Sequence, residues 1–359
     1  MSAMSSFSIE EILRTAREAG ASDVHLAAGT PPRMRVNGVL ETMNYSRITP
    51  SDTLDILISV MPEVQRQRFE ERGEYDFSFA VPECGRCRAN AYRQKGSVAF
   101  ALHLVDAKVP SPEELGMPAS VAGLYEKESG LVLVTGPSGS GRSATLACLV
   151  DQINGNRDAL VITLEDPIEY MHSHKRAMVS QREMGLDSRC YADALRAALR
   201  EDPDVILVGE LRDPESVSEA VTAAETGHLV LASLHASNVV NAVDGILDVY
   251  PPHRQERIRQ RLAEVLEAVV SQRLIPAGDG RGRAAAFEVL LNTPQVRRII
   301  REGSAEKLQA AMHGGGKEGM LSLEKSVGRL YSDGRISRDA ALRYVRNPED
   351  LGDAGAAPG

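Results

Sequence analysis

Residues Gly136-Pro-Ser-Gly-Ser-Gly-Arg-Ser143 have the spacing of a phosphate-binding loop, with arginine where lysine is usual. Gly136, Gly139 and Gly141 let the chain curl through Pro137, Ser138 and Ser140. The loop amides and a helix N-terminus at Arg142, Ser143 and Ala144 then face a di- or triphosphate such as ATP. Ser143 would place its hydroxyl on Mg²⁺. Arg142 preserves the charge, but its planar fork is longer than an ammonium stem. Phosphoryl transfer depends on positioning, so a displaced cation lowers turnover more than binding.

Three further groups could serve a nucleotide. Glu165 and Asp166 emerge from the apolar run Val161 to Leu164, at the strand end where open α/β sheets hold ligands, and can orient water or a hydrated Mg²⁺. Asp204-Val-Ile-Leu-Val208-Gly209-Glu210 has the layout of a Walker B strand. Glu210 is the expected water-activating residue and an indirect Mg²⁺ ligand. His228 and His235 flank Leu229 to Leu234, and their pairing with a nucleotide site suggests sensing of the γ-phosphate. A structural role at a strand end is the plainer reading of each histidine.

The elements that position these groups follow from hydrophobic period. Buried-strand runs at Leu131 to Val134, Leu160 to Leu164, Val205 to Val208 and Leu229 to Ala232 alternate with helical stretches from about residue 119. They predict a RecA-like P-loop core of α/β class. Helices are expected from Arg254 onward, over Gln255 to Arg273, Ala305 to Ala311 and Leu321 to Tyr331. Upstream, Ile9 to Ala19 and Ser51 to Glu71 read as helix. Asp23 to Ala27, Arg33 to Val36, Tyr75 to Ala80, Arg86 to Arg93 and Ser97 to Val105 read as strand, with a turn at Asn37-Gly38. The expected organisation is an α+β domain at 1–108, a proline-broken linker at 109–118, the ATPase domain at 119–351 and a disordered tail at 352–359.

The chain has 359 residues, 43% hydrophobic and 25% charged, which is ordinary for a globular protein of two domains. A net charge of -9 argues against nucleic acid as the main partner and disfavours a DNA translocase. No apolar stretch is long enough to span a membrane, and the first residues lack a signal-peptide layout, so a cytoplasmic location is expected. Cys84 and Cys87 are spaced as half of a zinc site, but no second pair follows.

Asp23-Val-His25-Leu with Pro32 and Gly38, the phosphate loop, Glu165-Asp-Pro-Ile-Glu169, Gln181-Arg-Glu183, Gly209-Glu-Leu-Arg-Asp213, Ala223-Ala-Glu-Thr-Gly-His228 and Arg297-Arg-Ile-Ile-Arg301-Glu302 occur in order. Together they resemble the PilT-type type IV pilus retraction ATPases of the secretion ATPase superfamily, from about Ile9 to Leu351. The resemblance implies an N-terminal PAS-like domain on the RecA-like core and a homo-hexamer at the cytoplasmic side of the inner membrane. It also implies a platform protein at the pilus base as partner and paralogous retraction ATPases as possible companions. By motif it implies Glu165 and Asp166 as an acidic box, Glu210 as catalytic glutamate, and His228 and His235 as a histidine region. Arg86 and Arg88 match positions that deliver cations to a neighbouring subunit's phosphates. Arg142, Ala144, His103 and the run Ser233-Leu-His-Ala236 depart from the usual pattern. A weakly hydrolysing accessory paralogue is therefore the alternative to an active motor.

Overall fold

A computed structural model describes residues 8–36, 38–81, 85–105, 108–280, 282–345 and 351. By contacts the chain forms two units, Met1–Lys108 with Glu169–Met171, and Val109–Ile168 with His172–Gly359. Asn37, Cys84 and the tail 352–359, singled out above, lie outside the described residues.

The first unit is built from α1 (Ile9–Glu18), β1 (Ala21–Ala27), β2 (Arg33–Val36), β3 (Val39–Thr42), α2 (Pro50–Val60), α3 (Glu63–Arg72), β4 (Glu74–Val81), β5 (Gly85–Gln94) and β6 (Ser97–Leu104). Ser8 caps α1 by accepting from the Glu11 amide, and Thr49 with Asp52 forms a capping box on α2. The strands make one antiparallel sheet in the order β3-β2-β1-β6-β5-β4. Ile12 and Leu13 of α1 and Phe69 of α3 join Phe100 and Leu102 of β6 in its core. Alternation along β5 buries Cys87, Ala89 and Ala91, which places Arg86 and Arg88 on the opposite face.

The second unit runs through α4 (Ala119–Ala122), β7 (Gly130–Thr135), α5 (Arg142–Asn156), β8 (Leu160–Glu165), β9 (Met178–Glu183), α6 (Tyr191–Ala198), β10 (Val205–Val208), α7 (Pro214–Glu225) and β11 (Leu229–Leu234). It continues with α8 (Val239–Asp248), α9 (Pro252–Val265), β12 (Leu266–Pro276), β13 (Arg283–Leu291), α10 (Pro294–Glu302), α11 (Ala305–Gly314), α12 (Leu323–Ser332) and α13 (Arg338–Leu342). Its seven-stranded sheet has the order β13-β12-β7-β11-β10-β8-β9, parallel except for β13. The strand carrying the phosphate loop, β7, lies inside the sheet and is wholly buried, and β11 separates it from β10. Apolar cores line both faces, as a covered parallel sheet requires.

The expected helix Gln255 to Arg273 is corrected by this arrangement. Helix α9 ends at Val265 and Leu266 begins β12, where the apolar run is buried between β7 and β13. Val269 and Val270 suit a pleated surface, and pairing on both sides overrides the helical period. Residues 109–118 pack with the second unit, where Ser111 and Glu114 bond each other's side chains and amides at 2.8 and 3.2 Å. No helix among the described residues is long and apolar enough to cross a membrane.

Candidate active site

The loop between β7 and α5 is shaped by glycine at two close approaches. Gly136 has φ 144°, and a Cβ there would lie 2.5 Å from both the Gln272 carbonyl oxygen and Ser140 Oγ. Gly141, with φ 91°, caps α5, and its Cβ would stand 2.8 Å from Gln272 Nε2. Any larger residue would push the loop off β12. No side chain caps the α5 N-terminus, so its first amides and positive dipole end are available to an anion. Ser143 is half-buried in the first turn of α5, followed by Ala144.

Arg142 opens the helix and turns toward the end of β11. Its Nη1 donates to the Leu234 carbonyl at 2.9 Å, and Nη2 lies 3.1 Å from His235 Nε2. The same His235 nitrogen is 3.2 Å from Glu210 Oε1. A single ring nitrogen accepts from Arg142 in one tautomer or donates to Glu210 in the other, so His235 bonds one of them at a time. Glu210 is 14% exposed, and its other oxygen accepts from Arg212 at 2.5 Å. That hydrogen bond raises the Arg212 pKa. The Thr135 hydroxyl accepts from the Ala236 amide at 2.9 Å, tying the end of β7 to the loop after β11.

The acidic box stands beside this group. Glu165 ends β8, where its Oε1 accepts from Thr163 Oγ1 at 2.6 Å and from Gln181 Nε2 at 3.1 Å. Asp166 follows it, and Glu183 holds the next turn by accepting from the Ile168 amide at 3.0 Å. Gly209 is needed before the acid because a Cβ would meet Tyr191 Oη at 2.9 Å and the Leu164 carbonyl at 3.1 Å. Burial, and then the Asp166 carboxylate, push the Tyr191 phenol well above its ordinary range. Ser233 Oγ donates to the Gly209 carbonyl at 2.5 Å, locking β11 to the turn that carries Glu210.

The structure does not bring His228 to this edge. It precedes β11, at the end of the sheet remote from the phosphate loop, and its backbone carbonyl accepts from the Gly130 amide at 3.0 Å. Six residues of strand, about 20 Å, separate the two histidines. His228 Nδ1 is 2.9 Å from the Ala223 carbonyl, which satisfies it structurally. Arg86 and Arg88 belong to the first unit. Arg86 Nη2 donates to Ser78 Oγ at 2.8 Å, while Arg88 is exposed opposite Ser78 and His103.

Tyr191, Arg212 and Gln272 were not expected here. Arg212 had a usable signal, lying two residues after the Walker B acid. Gln272 had none, because its place under the loop depends on β12 lying beside β7.

A phosphate loop on an inner strand, an acid at the end of the strand two places away and a histidine between them define a RecA-like nucleotide-binding core. The chain belongs to the Type II/IV secretion system protein family, whose model matches residues 3–329. It is 41% identical over 343 residues to the type IV pilus retractation ATPase PilT of Pseudomonas aeruginosa, spanning 96% of this chain and 99% of that one. It is 38% identical over 342 residues to the type IV pilus ATPase PilU of the same organism, spanning 95% and 90%. The crystal structure of the pilus retraction motor PilT with bound ADP superposes with a TM-score of 0.89 at 44% identity, covering 96% of this chain and 99% of that one.

Proposed function

We propose that this chain hydrolyses ATP as a hexameric motor for type IV pilus retraction, and so for twitching motility. It would work on the inner-membrane platform protein from the cytoplasmic side. The observation that carries the reading is the convergence of Arg142, His235 and Glu210 at the phosphate-loop edge of the sheet. The near full-length likeness to PilT supplies the biological setting.

In this reading the loop amides from Ser138 to Ala144 and the α5 dipole hold the phosphates, while Glu210 takes the proton from the attacking water. His235 links Glu210 to Arg142, so that the loss of a phosphate at Arg142 changes the hydrogen bond available to the base. Glu165, held by Thr163 and Gln181, and Asp166 keep water ordered at the neighbouring strand end. The hydroxyl of Ser143 and the carboxylate of Glu210 are hard oxygen donors that fit Mg²⁺, the latter through water. When bound, the ion neutralises charge on the β- and γ-phosphates. Arg86 and Arg88 supply a cation to a neighbouring subunit's nucleotide, since Arg88 is an exposed cation on a rigid strand. Arg88→Ala should then lower hydrolysis without lowering the melting temperature of the chain, while Arg86→Ala, which also loses the bond to Ser78, should lower both.

The test is ATP-dependent phosphate release by the purified chain, with restoration of pilus retraction in cells lacking their own retraction ATPase. Absence of both would overturn the reading. A second reading, an accessory paralogue of low turnover that assembles with an active hexamer, is favoured by Arg142 itself. Its guanidinium is engaged with Leu234 and His235 and must leave them to reach a γ-phosphate. Slow phosphate release, raised by Arg142→Lys, would select it.

A further inference from the structure

Beneath the phosphate loop lie two buried polar groups that the nucleotide reading does not use. Gln272 of β12 is 1% exposed. Its Oε1 accepts from Thr145 Oγ1 of α5 at 2.6 Å, which fixes the plane of the carboxamide. That leaves Nε2 directed at the loop, 2.8 Å from where a Gly141 side chain would begin, with no hydrogen-bond partner among the described residues. Ser140 Oγ, on the loop itself and 3% exposed, is likewise without one. The main chain adds a second contact, because the Gln272 carbonyl stands 2.5 Å from the Cβ position of Gly136. Gln272 therefore touches both ends of the loop, and its neighbour Arg273 donates to the Ser237 carbonyl at 2.7 Å in the segment that follows His235.

A buried donor without a partner is destabilising, and so is a buried hydroxyl. Each would be relieved by a turn of the loop that brought Ser140 Oγ or a loop carbonyl onto Nε2. Phosphates drawing the loop amides together would favour such a turn. We infer that Gln272 is a positioning residue for the phosphate loop, whose amide donor stabilises the phosphate-bound arrangement over the one it has without phosphate. This rests on the nucleotide-binding reading above. It adds a prediction that reading does not make: removal of the carboxamide weakens nucleotide binding by more than the loss of its bond from Thr145 weakens the fold.

The test compares wild type with Gln272→Met, which keeps the volume but removes donor and acceptor, using the full chain. ADP with Mg²⁺ is the probe, titrated calorimetrically, and melting is followed with and without it. The Kd for ADP should rise about tenfold, and the KM for ATP should rise with it while kcat falls less than about threefold. Melting without nucleotide should fall by no more than the loss of the one buried bond from Thr145 accounts for, and the fall should be larger with ADP than without it. Should Gln272→Met fail to fold, Thr145→Val and Thr145→Ser give the same answer. The first frees the carboxamide and should weaken ADP about threefold, and the second keeps the hydroxyl and should restore it. An ADP Kd within twofold of wild type in Gln272→Met and Thr145→Val, or loss of melting temperature equal with and without ADP, would overturn the inference. A wild-type chain that binds no ADP would overturn the nucleotide reading first, and this one with it.

Discussion

The two ends of the parallel sheet in the second unit are made from the same strands yet treat polar side chains in opposite ways. At the carboxyl ends of β7, β11 and β10, His235, Glu210 and Arg212 bond to side chains, and Arg142 bonds to His235 as well as to the Leu234 carbonyl. At the amino ends, His228 bonds to the Ala223 carbonyl and Asp204 bonds to the Leu160 amide. A side chain held by other side chains exchanges partners more readily when a ligand arrives than one held only by the backbone of a strand. Strand direction also aims the α5 N-terminus at the first edge only. The contrast separates residues that serve chemistry from residues that hold the sheet, although both ends carry acids and histidines.

The largest effect should come from Glu210→Gln. The amide keeps the volume and a hydrogen bond to Arg212 but cannot take a proton from water. Turnover should fall by about a hundredfold or more, with ATP still bound. Undiminished phosphate release would end the assignment of this edge as the reacting one.

The two histidines give a direct comparison along one strand. His235→Ala should lower kcat about tenfold or more, because Glu210 and Arg142 lose the group between them. His228→Ala should leave kcat within about twofold and cost about 1 kcal/mol of stability through the lost bond to Ala223. Equal losses of kcat in the two variants, at saturating ATP and well below the melting temperature, would erase the distinction.

Arg142→Lys sharpens the same edge. A lysine loses the bidentate span to Leu234 and His235, and its compact ammonium can swing to the γ-phosphate. Phosphate release should rise about tenfold if ~1.4 kcal/mol of transition-state stabilisation is recovered, with ADP affinity changing less. Unchanged or slower release would mean that the loop is adapted to arginine.

What was legible in the sequence follows the distinction between local and topological information. The runs at β7, β8, β10 and β11 are apolar and bounded by glycine or acids, so their burial and the placement of Glu165 and Glu210 at strand ends could be read directly. The passage from α9 to β12 could not, because Leu266 to Ile275 satisfies a helical pattern until β7 and β13 flank it. His228 and His235 look alike as strand-end histidines, and only the direction of β11 relative to the phosphate loop separates them. Gln272 is 136 positions from Gly136, so no spacing rule could pair them.

The smallest effect belongs to the quiet edge and tests whether it is only structural. Asp204 is exposed, and its Oδ2 accepts from the Leu160 amide at 2.7 Å, while its own amide donates to the Leu160 carbonyl at 2.9 Å. The side chain thus closes the amino end of β8 against β10. Asp204→Ala removes one acceptor, but water can reach the freed amide, so the loss should be about 1 kcal/mol, at the low end for a broken hydrogen bond. In a unit of this size that lowers the melting temperature by roughly 2–4 °C. Asp204→Asn keeps a carbonyl oxygen in place and should recover most of it. In both variants kcat and the KM for ATP should match wild type, because the strand length separates this carboxylate from the phosphate loop. A fall in kcat at unchanged melting temperature would show that the amino edge takes part in the chemistry, and the contrast between the two ends would fail.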